Sequence, residues 1–82
     1  MRLIDIGEGN MISASHLIAV IGADSAPSKR LVQNARNSMI LIDASHGKKT
    51  KAILIMDSGH VVLSSLETNE ITEHFEKEAS KN

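Results

Sequence analysis

Five consecutive apolar residues, Ala52–Met56, follow directly on a stretch that contains three lysines. The run is bounded by charge on one side and by Asp57-Ser58-Gly59-His60 on the other, which is typical of a short buried strand that ends in a turn. A second apolar run, Val61–Ser64, begins just after the turn, so the two runs predict a β-hairpin. Residues 44–51 then form a basic loop whose far end is fixed to the core. We call residues 44–51 the lysine loop.

Four further short segments predict strands. They are Arg2–Ile6, Met11–Ser13, Leu17–Ile21 and Met39–Ile42. The segment Gly7-Glu8-Gly9-Asn10 predicts a tight turn with positive φ, which would pair the second run back onto the first. Because Leu17–Ile21 is apolar throughout, we expect it to be buried on both faces.

Two segments have helical periodicity. Asp24-Ser25-Ala26-Pro27 is typical of a helix start, and this helix should run to about Ser38 with a basic outer side. Its inward stripe would consist of Leu31, Val32 and Ala35. An acidic helix over about 68–79 should dock through a narrow stripe of Ile71, Phe75 and Ala79, followed by a frayed end. We therefore expect one α+β domain over residues 1–82, with a small mixed, mostly antiparallel sheet, a central amphipathic helix and a C-terminal helix.

The chain is too short and too poor in aromatic residues to build a large core. It has 82 residues, one Phe, and no Trp, Tyr or Cys. A domain of this size buries only roughly 60% of its unfolded surface, and no disulfide can supplement the core. Burial between subunits is the remaining route to stability, so we expect a homo-oligomer. No run approaches the roughly 20 apolar residues of a membrane span, so we expect a cytoplasmic protein without a membrane partner.

Charge is unevenly distributed along the chain, although the formal net charge is only −1. Residues 29–51 contain six Lys and Arg against one Asp, whereas residues 67–82 contain five Glu against two Lys. This asymmetry indicates a basic face for an anionic partner. Double-stranded DNA is favoured over single strands, because single-strand sites use exposed aromatic side chains that this chain lacks. The candidate DNA contacts are Lys29, Arg30, Lys48, Lys49 and Lys51.

The motifs of the chain do not indicate an enzyme, a cofactor site or a metal site. Gly47-Lys48-Lys49-Thr50 differs from a phosphate-binding P-loop, because Ile42 stands where the first glycine is needed and because the Gly-Lys pair is not followed directly by Ser or Thr. Gly7-Glu8-Gly9 lacks the third glycine of a dinucleotide fingerprint. The four histidines are too far apart in sequence for a local zinc motif, and no cysteine is available.

Four collinear blocks are specific enough to compare with a known family. They are Gly-Asn-Met-Ile-Ser-Ala (9–14), Asp-Ser-Ala-Pro-Ser-Lys-Arg (24–30), Leu-Ile-Asp-Ala-Ser-His-Gly-Lys-Lys-Thr-Lys-Ala (41–52) and Ile-Met-Asp-Ser-Gly-His-Val-Val-Leu-Ser (55–64). Over about residues 3–66 the chain resembles the RemA family, small regulators of extracellular-matrix (biofilm) genes in spore-forming bacteria. The resemblance implies a DNA-binding transcription regulator that forms a ring of eight subunits, with a fold distantly like a LytTR-type DNA-binding domain.

The resemblance also implies DNA contacts at His16, Lys48 and Lys49, where the family typically has arginine. Lysine keeps the charge but lacks the bidentate fork of arginine, and histidine gains its charge only as the pH falls. We expect these side chains to face outward and the acidic helix to point away from the DNA path. The competing interpretation is a homo-oligomeric scaffold whose lysine loop binds a small phosphorylated effector or a protein partner. A binding constant that falls steeply with salt concentration would favour duplex DNA over a small effector as the ligand.

Overall fold

The computed structural model describes residues 2–80, with side chains described for residues 2–77. The elements in chain order are β1 (Leu3–Gly7), β2 (Asn10–Ser13), a 3-10 turn (Ala14–His16), β3 (Leu17–Gly22), α1 (Ala26–Asn37), β4 (Leu41–Asp43), β5 (Ala52–Met56), β6 (Val61–Ser64) and α2 (Thr68–Ser80). The α+β class is confirmed, and the hairpin β5–β6 has the predicted bounds. Ala79 of the predicted stripe and the predicted frayed end lie outside the described side chains.

The six strands form two sheets. β1 and β2 make an antiparallel pair of their own, and the other four strands form a mixed sheet in the order β3-β5-β6-β4. In that sheet β3–β5 and β5–β6 are antiparallel, and β4 is parallel to β6. The mixed, mostly antiparallel arrangement is therefore confirmed. Because β5 and β6 occupy the centre, Ala52–Leu54 of β5 and all of β6 are buried on both faces, while the last two residues of β5 are half-buried.

The core lies on both faces of these two central strands. On one face Leu54 packs with Ile6 of β1 and Ile71 of α2. On the other face Ile53 packs with Ala35 of α1. Neighbouring residues of a strand point to opposite faces, so one short strand joins two core clusters. The same strand therefore fixes the position of both helices relative to the lysine loop.

Helix α1 begins and ends for local reasons. Ser25 caps it, since its Oγ accepts a hydrogen bond from the Ser28 backbone N–H at 3.1 Å, and a proline lies in the first turn. The helix ends before Met39, which takes a left-handed φ of 60° and is 90% exposed. The predicted strand Met39–Ile42 is thus wrong at its start, and β4 begins at Leu41 because Met39 belongs to the helix exit. Within the described residues, neither helix is long and apolar enough to cross a membrane.

The expectation that Leu17–Ile21 is buried on both faces is wrong for the single chain. These residues belong to β3, which is an edge strand and, among the described strands, pairs only with β5. Most of the strand is half-buried, and Ile18 is 66% exposed. An exposed apolar edge strand is typical of a surface that another polypeptide covers.

Candidate nucleic-acid interface

The lysine loop is held at both ends by hydrogen bonds. At its start, Asp43 Oδ1 accepts from the Ser45 backbone N–H at 3.0 Å and from the Ser45 hydroxyl at 2.5 Å. Ser45 is only 2% exposed, so it ties the loop to the interior. At its end, the Lys51 N–H donates to the Ser64 carbonyl at 2.9 Å. The loop is anchored on both sides, whereas the sequence indicated only the anchor at its far end.

A tight turn at the middle of the loop presents the two central lysines. His46 and Gly47 both have left-handed φ, 56° and 78°, and the Lys48 N–H donates to the Ser45 carbonyl at 3.0 Å. A Cβ atom at position 47 would meet no atoms within 4 Å, so glycine is favoured there by the backbone conformation and not by space. The turn leaves the side chains of Lys48 and Lys49 exposed to solvent.

The ionised carboxylate of Asp43 stabilises this turn. The hydroxyl and the backbone N–H of Ser45 donate to its carboxylate and lower the pKa of Asp43 from the ordinary value of 3.8. Desolvation by burial acts in the opposite direction, and the smaller effects of Arg36 and His46 lower the pKa of Asp43 further. The loop therefore keeps its shape at neutral pH through a charged side chain that the surrounding cations also stabilise.

Lys48 and Lys49 line two grooves, one on each side of the loop. The first, which we call the basic groove, has a volume of about 700 Å³ and lies between α1 and the loop. Its charged side chains are Lys29, Arg36, Lys48, Lys49, Asp24 and Asp43. The second, which we call the mixed groove, has a volume of about 420 Å³ and lies toward the β1–β2 turn and α2. Its charged side chains are Lys48, Lys49, Lys51, Glu8 and Glu70.

The sequence-predicted cations of α1 separate in the structure. Lys29 lines the basic groove with the two central lysines, whereas Arg30 does not line it. Arg36, which we did not single out as a contact, does line it. The signal was present in the sequence, because Arg36 follows Lys29 by seven residues, about two helical turns, and so lies on the same helix face.

Acidic side chains from distant parts of the chain lie against the lysines. Glu8 Oε2 is 3.0 Å from Lys48 Nζ, and Glu67 Oε1 is 3.8 Å from Lys51 Nζ. Glu70, in the first turn of α2, lines the mixed groove. The start of the acidic segment is therefore close to the lysine loop, although we expected the acidic helix to point away from the DNA path. Sequence reasoning missed these pairs because the partners are far apart along the chain.

His16 lies at the opposite end of β5 from the lysines. It precedes β3, which runs antiparallel to β5, while the lysine loop leads into the start of β5. A strand of five residues spans roughly 17 Å. His16 Nδ1 is 2.8 Å from Asp57 Oδ2, a pairing that the sequence did not reveal. One chain thus does not bring His16 together with Lys48 and Lys49. Among the described residues, no group of three His, Asp or Glu side chains is placed to hold a metal ion.

Comparisons with known proteins agree with the resemblance. The family described as RemA-like, extracellular matrix regulatory protein A-like, matches residues 3–75. A protein of Geobacillus kaustophilus is 54% identical over 67 residues, which cover 82% of this chain and 77% of the relative. A protein of Dictyoglomus turgidum is 49% identical over 76 residues, which cover 93% of this chain and 89% of the relative. A protein of Bacillus cytotoxicus is 49% identical over 71 residues, with coverages of 87% and 82%.

All three relatives carry the name "Putative regulatory protein". The match over residues 3–75 includes both sheets, α1 and the lysine loop. The chain belongs to the RemA-like family of regulatory proteins.

Proposed function

We propose that this protein regulates transcription of extracellular-matrix (biofilm) genes by binding double-stranded DNA in the cytoplasm. The observation that carries the proposal is the placement of Lys48 and Lys49, two exposed cations on a loop anchored at both ends. Cations held in fixed places bind phosphate with less loss of conformational freedom than cations on a mobile tail. The two lysines therefore make the principal phosphate contacts, and Lys51 and Lys29 flank them.

The composition of the surface favours duplex backbone over single strands. Sites for single strands stack bases on exposed aromatic side chains. The only aromatic side chain of this chain, Phe75, is half-buried, and the Arg2 guanidinium lies 6.0 Å from its ring centroid. Binding would then be dominated by phosphate contacts, which position the duplex and depend strongly on salt.

One subunit is too small to bind DNA tightly in this way. If three of its cations contact phosphate, the expected Kd is on the order of 10⁻⁴ M at physiological salt. Several subunits that engage one duplex raise the avidity by roughly 10² to 10⁴, because later contacts become intramolecular. The structure leaves an apolar residue exposed at each edge strand of the four-stranded sheet, Ile18 on β3 and Ile42 on β4. These exposed apolar edges support a closed homo-oligomer in which the edges of neighbouring copies pair, and the family resemblance implies a ring of eight.

An oligomer also accounts for the distance between His16 and the lysines. A duplex that runs across several subunits meets the lysine loop of one subunit and the far end of β5 of another, so both ends of the sheet contact it. Arg30 and His16 are then secondary contacts at the borders of the path. Spreading contacts over an array favours bending or wrapping of DNA more than readout of one short site.

A salt titration of the full-length protein with genomic duplex fragments tests this function. Each phosphate contact contributes about −0.9 to the slope of log binding constant against log salt. A steep slope, together with a mass in solution of several subunits, is the expected result. A shallow slope with a compact anion as the preferred ligand would contradict DNA binding and would favour the effector interpretation.

A further inference from the structure

The basic groove has features that a duplex does not need. It is a concave site of about 700 Å³ between α1 and the lysine loop, within the range of pockets that bind small molecules. Double-stranded DNA is too wide to enter a groove of this volume and can contact only its rim. We infer that the basic groove binds a compact anion that carries a diphosphate group.

The charges of the groove are suited to more than one phosphate. Lys49 supplies positive charge from the loop, and Lys29 and Arg36 supply it from α1. Lys48 also lines the groove, but its ammonium is paired with Glu8, which lines the mixed groove. Of the two acids that line the groove, Asp43 accepts two hydrogen bonds from Ser45, and Asp24 lowers the net positive charge of the groove by one. Cations on opposite walls can each meet a different phosphoryl group, whereas a single phosphate reaches only part of this set.

The individual donors have distinct tasks. The planar guanidinium of Arg36 can form two parallel hydrogen bonds to one phosphoryl group, and the lysine ammonium groups act as point charges on the other. The groove also has apolar lining from Val32 and Leu63, where a sugar or base could pack. The diphosphate can thus come from inorganic pyrophosphate or from a nucleoside diphosphate, and only the second would use the apolar lining.

Such a ligand would compete with DNA. Lys48 and Lys49 belong both to the groove and to the proposed DNA contact, so a bound diphosphate would neutralise the cations that hold the phosphate backbone. This consequence rests on the proposed function, whereas binding of the diphosphate rests on the groove alone. The two can therefore be measured separately.

Calorimetric titration of the full-length protein at low salt, without DNA, tests the site. We expect pyrophosphate and ADP to bind at least tenfold more tightly than orthophosphate. Arg36→Gln and Lys29→Gln should each weaken diphosphate binding roughly tenfold, because each removes a charged donor from the wall of the groove. Arg30→Gln is the matched control: it removes the same charge one residue from Lys29 without touching the groove, and it should change the affinity less than twofold.

The outcomes separate the alternatives. Tighter binding of ADP than of pyrophosphate would assign the ligand to nucleoside diphosphates, and equal binding would assign it to inorganic diphosphate. Equal affinity for orthophosphate and pyrophosphate would overturn the inference. An equal loss of pyrophosphate affinity in Arg30→Gln and Arg36→Gln would also overturn it. If pyrophosphate binds but does not displace a labelled duplex, the groove is a diphosphate site and the placement of DNA on Lys48 and Lys49 is wrong.

Discussion

Lys48 Nζ lies 3.0 Å from Glu8 Oε2, so the central lysine of the proposed DNA contact is already paired with a carboxylate. Glu8 sits in the β1–β2 turn with a left-handed φ of 54°, and its side chain is only 23% exposed. Its Oε2 also lies 3.5 Å from the Ser65 hydroxyl. Lys48 is largely exposed, so the pair contributes at most about 1 kcal/mol to stability. Glu8 therefore acts mainly as a competitor for the phosphate.

Removing this competitor should tighten DNA binding. We expect Glu8→Gln to increase the affinity for duplex DNA about two- to fivefold at low salt, because the lysine no longer has to exchange one anion for another. The measurement is equilibrium binding to one duplex at two salt concentrations. Glu73→Gln, which removes an exposed acid from the middle of α2, is the control for net charge. Equal gains in both variants would show that Glu8 has no specific effect on Lys48.

The pairing of His16 with Asp57 limits the charge that this end of the sheet offers to DNA. His16→Arg should tighten duplex binding at neutral pH, since arginine is always charged and can bind phosphate with two donors. His60→Arg, which adds the same charge in the turn after β5, should give a smaller gain. No gain with His16→Arg, or an equal gain with His60→Arg, would remove His16 from the interface.

The lowered pKa of Asp43 should make the protein less stable as the pH falls into the acid range. Its pKa is lowered in the folded state from 3.8, so its contribution is present above that value and is lost as the pH falls through the lowered pKa. Asp43→Asn should therefore unfold at a lower temperature than the natural protein at neutral pH, and the difference should shrink below about pH 3.8. Thermal unfolding from pH 7 to pH 3 measures this. A difference that does not change with pH would mean that the carboxylate charge is unimportant for the loop.

The exposed residue of β3 tests the proposed assembly. Ile18→Asp places a charge on an apolar edge that we expect to be covered by another subunit, so it should lower the mass in solution and weaken DNA binding by an order of magnitude or more. Ile18 is 66% exposed in the single chain, so the variant should keep its circular dichroism spectrum. Ile18→Val is the conservative control and should retain both assembly and binding. An unchanged mass in Ile18→Asp would exclude this edge from the interface.

Features with a local cause could be predicted from the sequence. The hairpin β5–β6 follows from two apolar runs around a short polar turn, and the start of α1 follows from the capping serine and the proline. The inward stripe of α1 was also predicted correctly, because Ala35 is buried and its two neighbours in the stripe pack against the same cluster. These features depend on residues within a few positions of each other.

Features that depend on distant residues could not be predicted. Apolar composition does not distinguish a central strand from an edge strand, which is why the burial of β3 was predicted wrongly. The partners of Lys48 and His16 come from turns about 40 positions away. The separation of His16 from the lysine loop follows from the antiparallel pairing of β3 with β5, and no short pattern in the sequence indicates that pairing.

The salt dependence of DNA binding by a variant with both Lys48→Ala and Lys49→Ala tests the central claim most directly. We expect a large drop in affinity and a shallower slope, by about 0.9 for each phosphate that an engaged subunit no longer neutralises, with fold and assembly intact. The variant with both Lys48→Arg and Lys49→Arg should keep or raise the affinity, since it preserves the charge. An alanine variant with the slope and affinity of the natural protein would contradict the account.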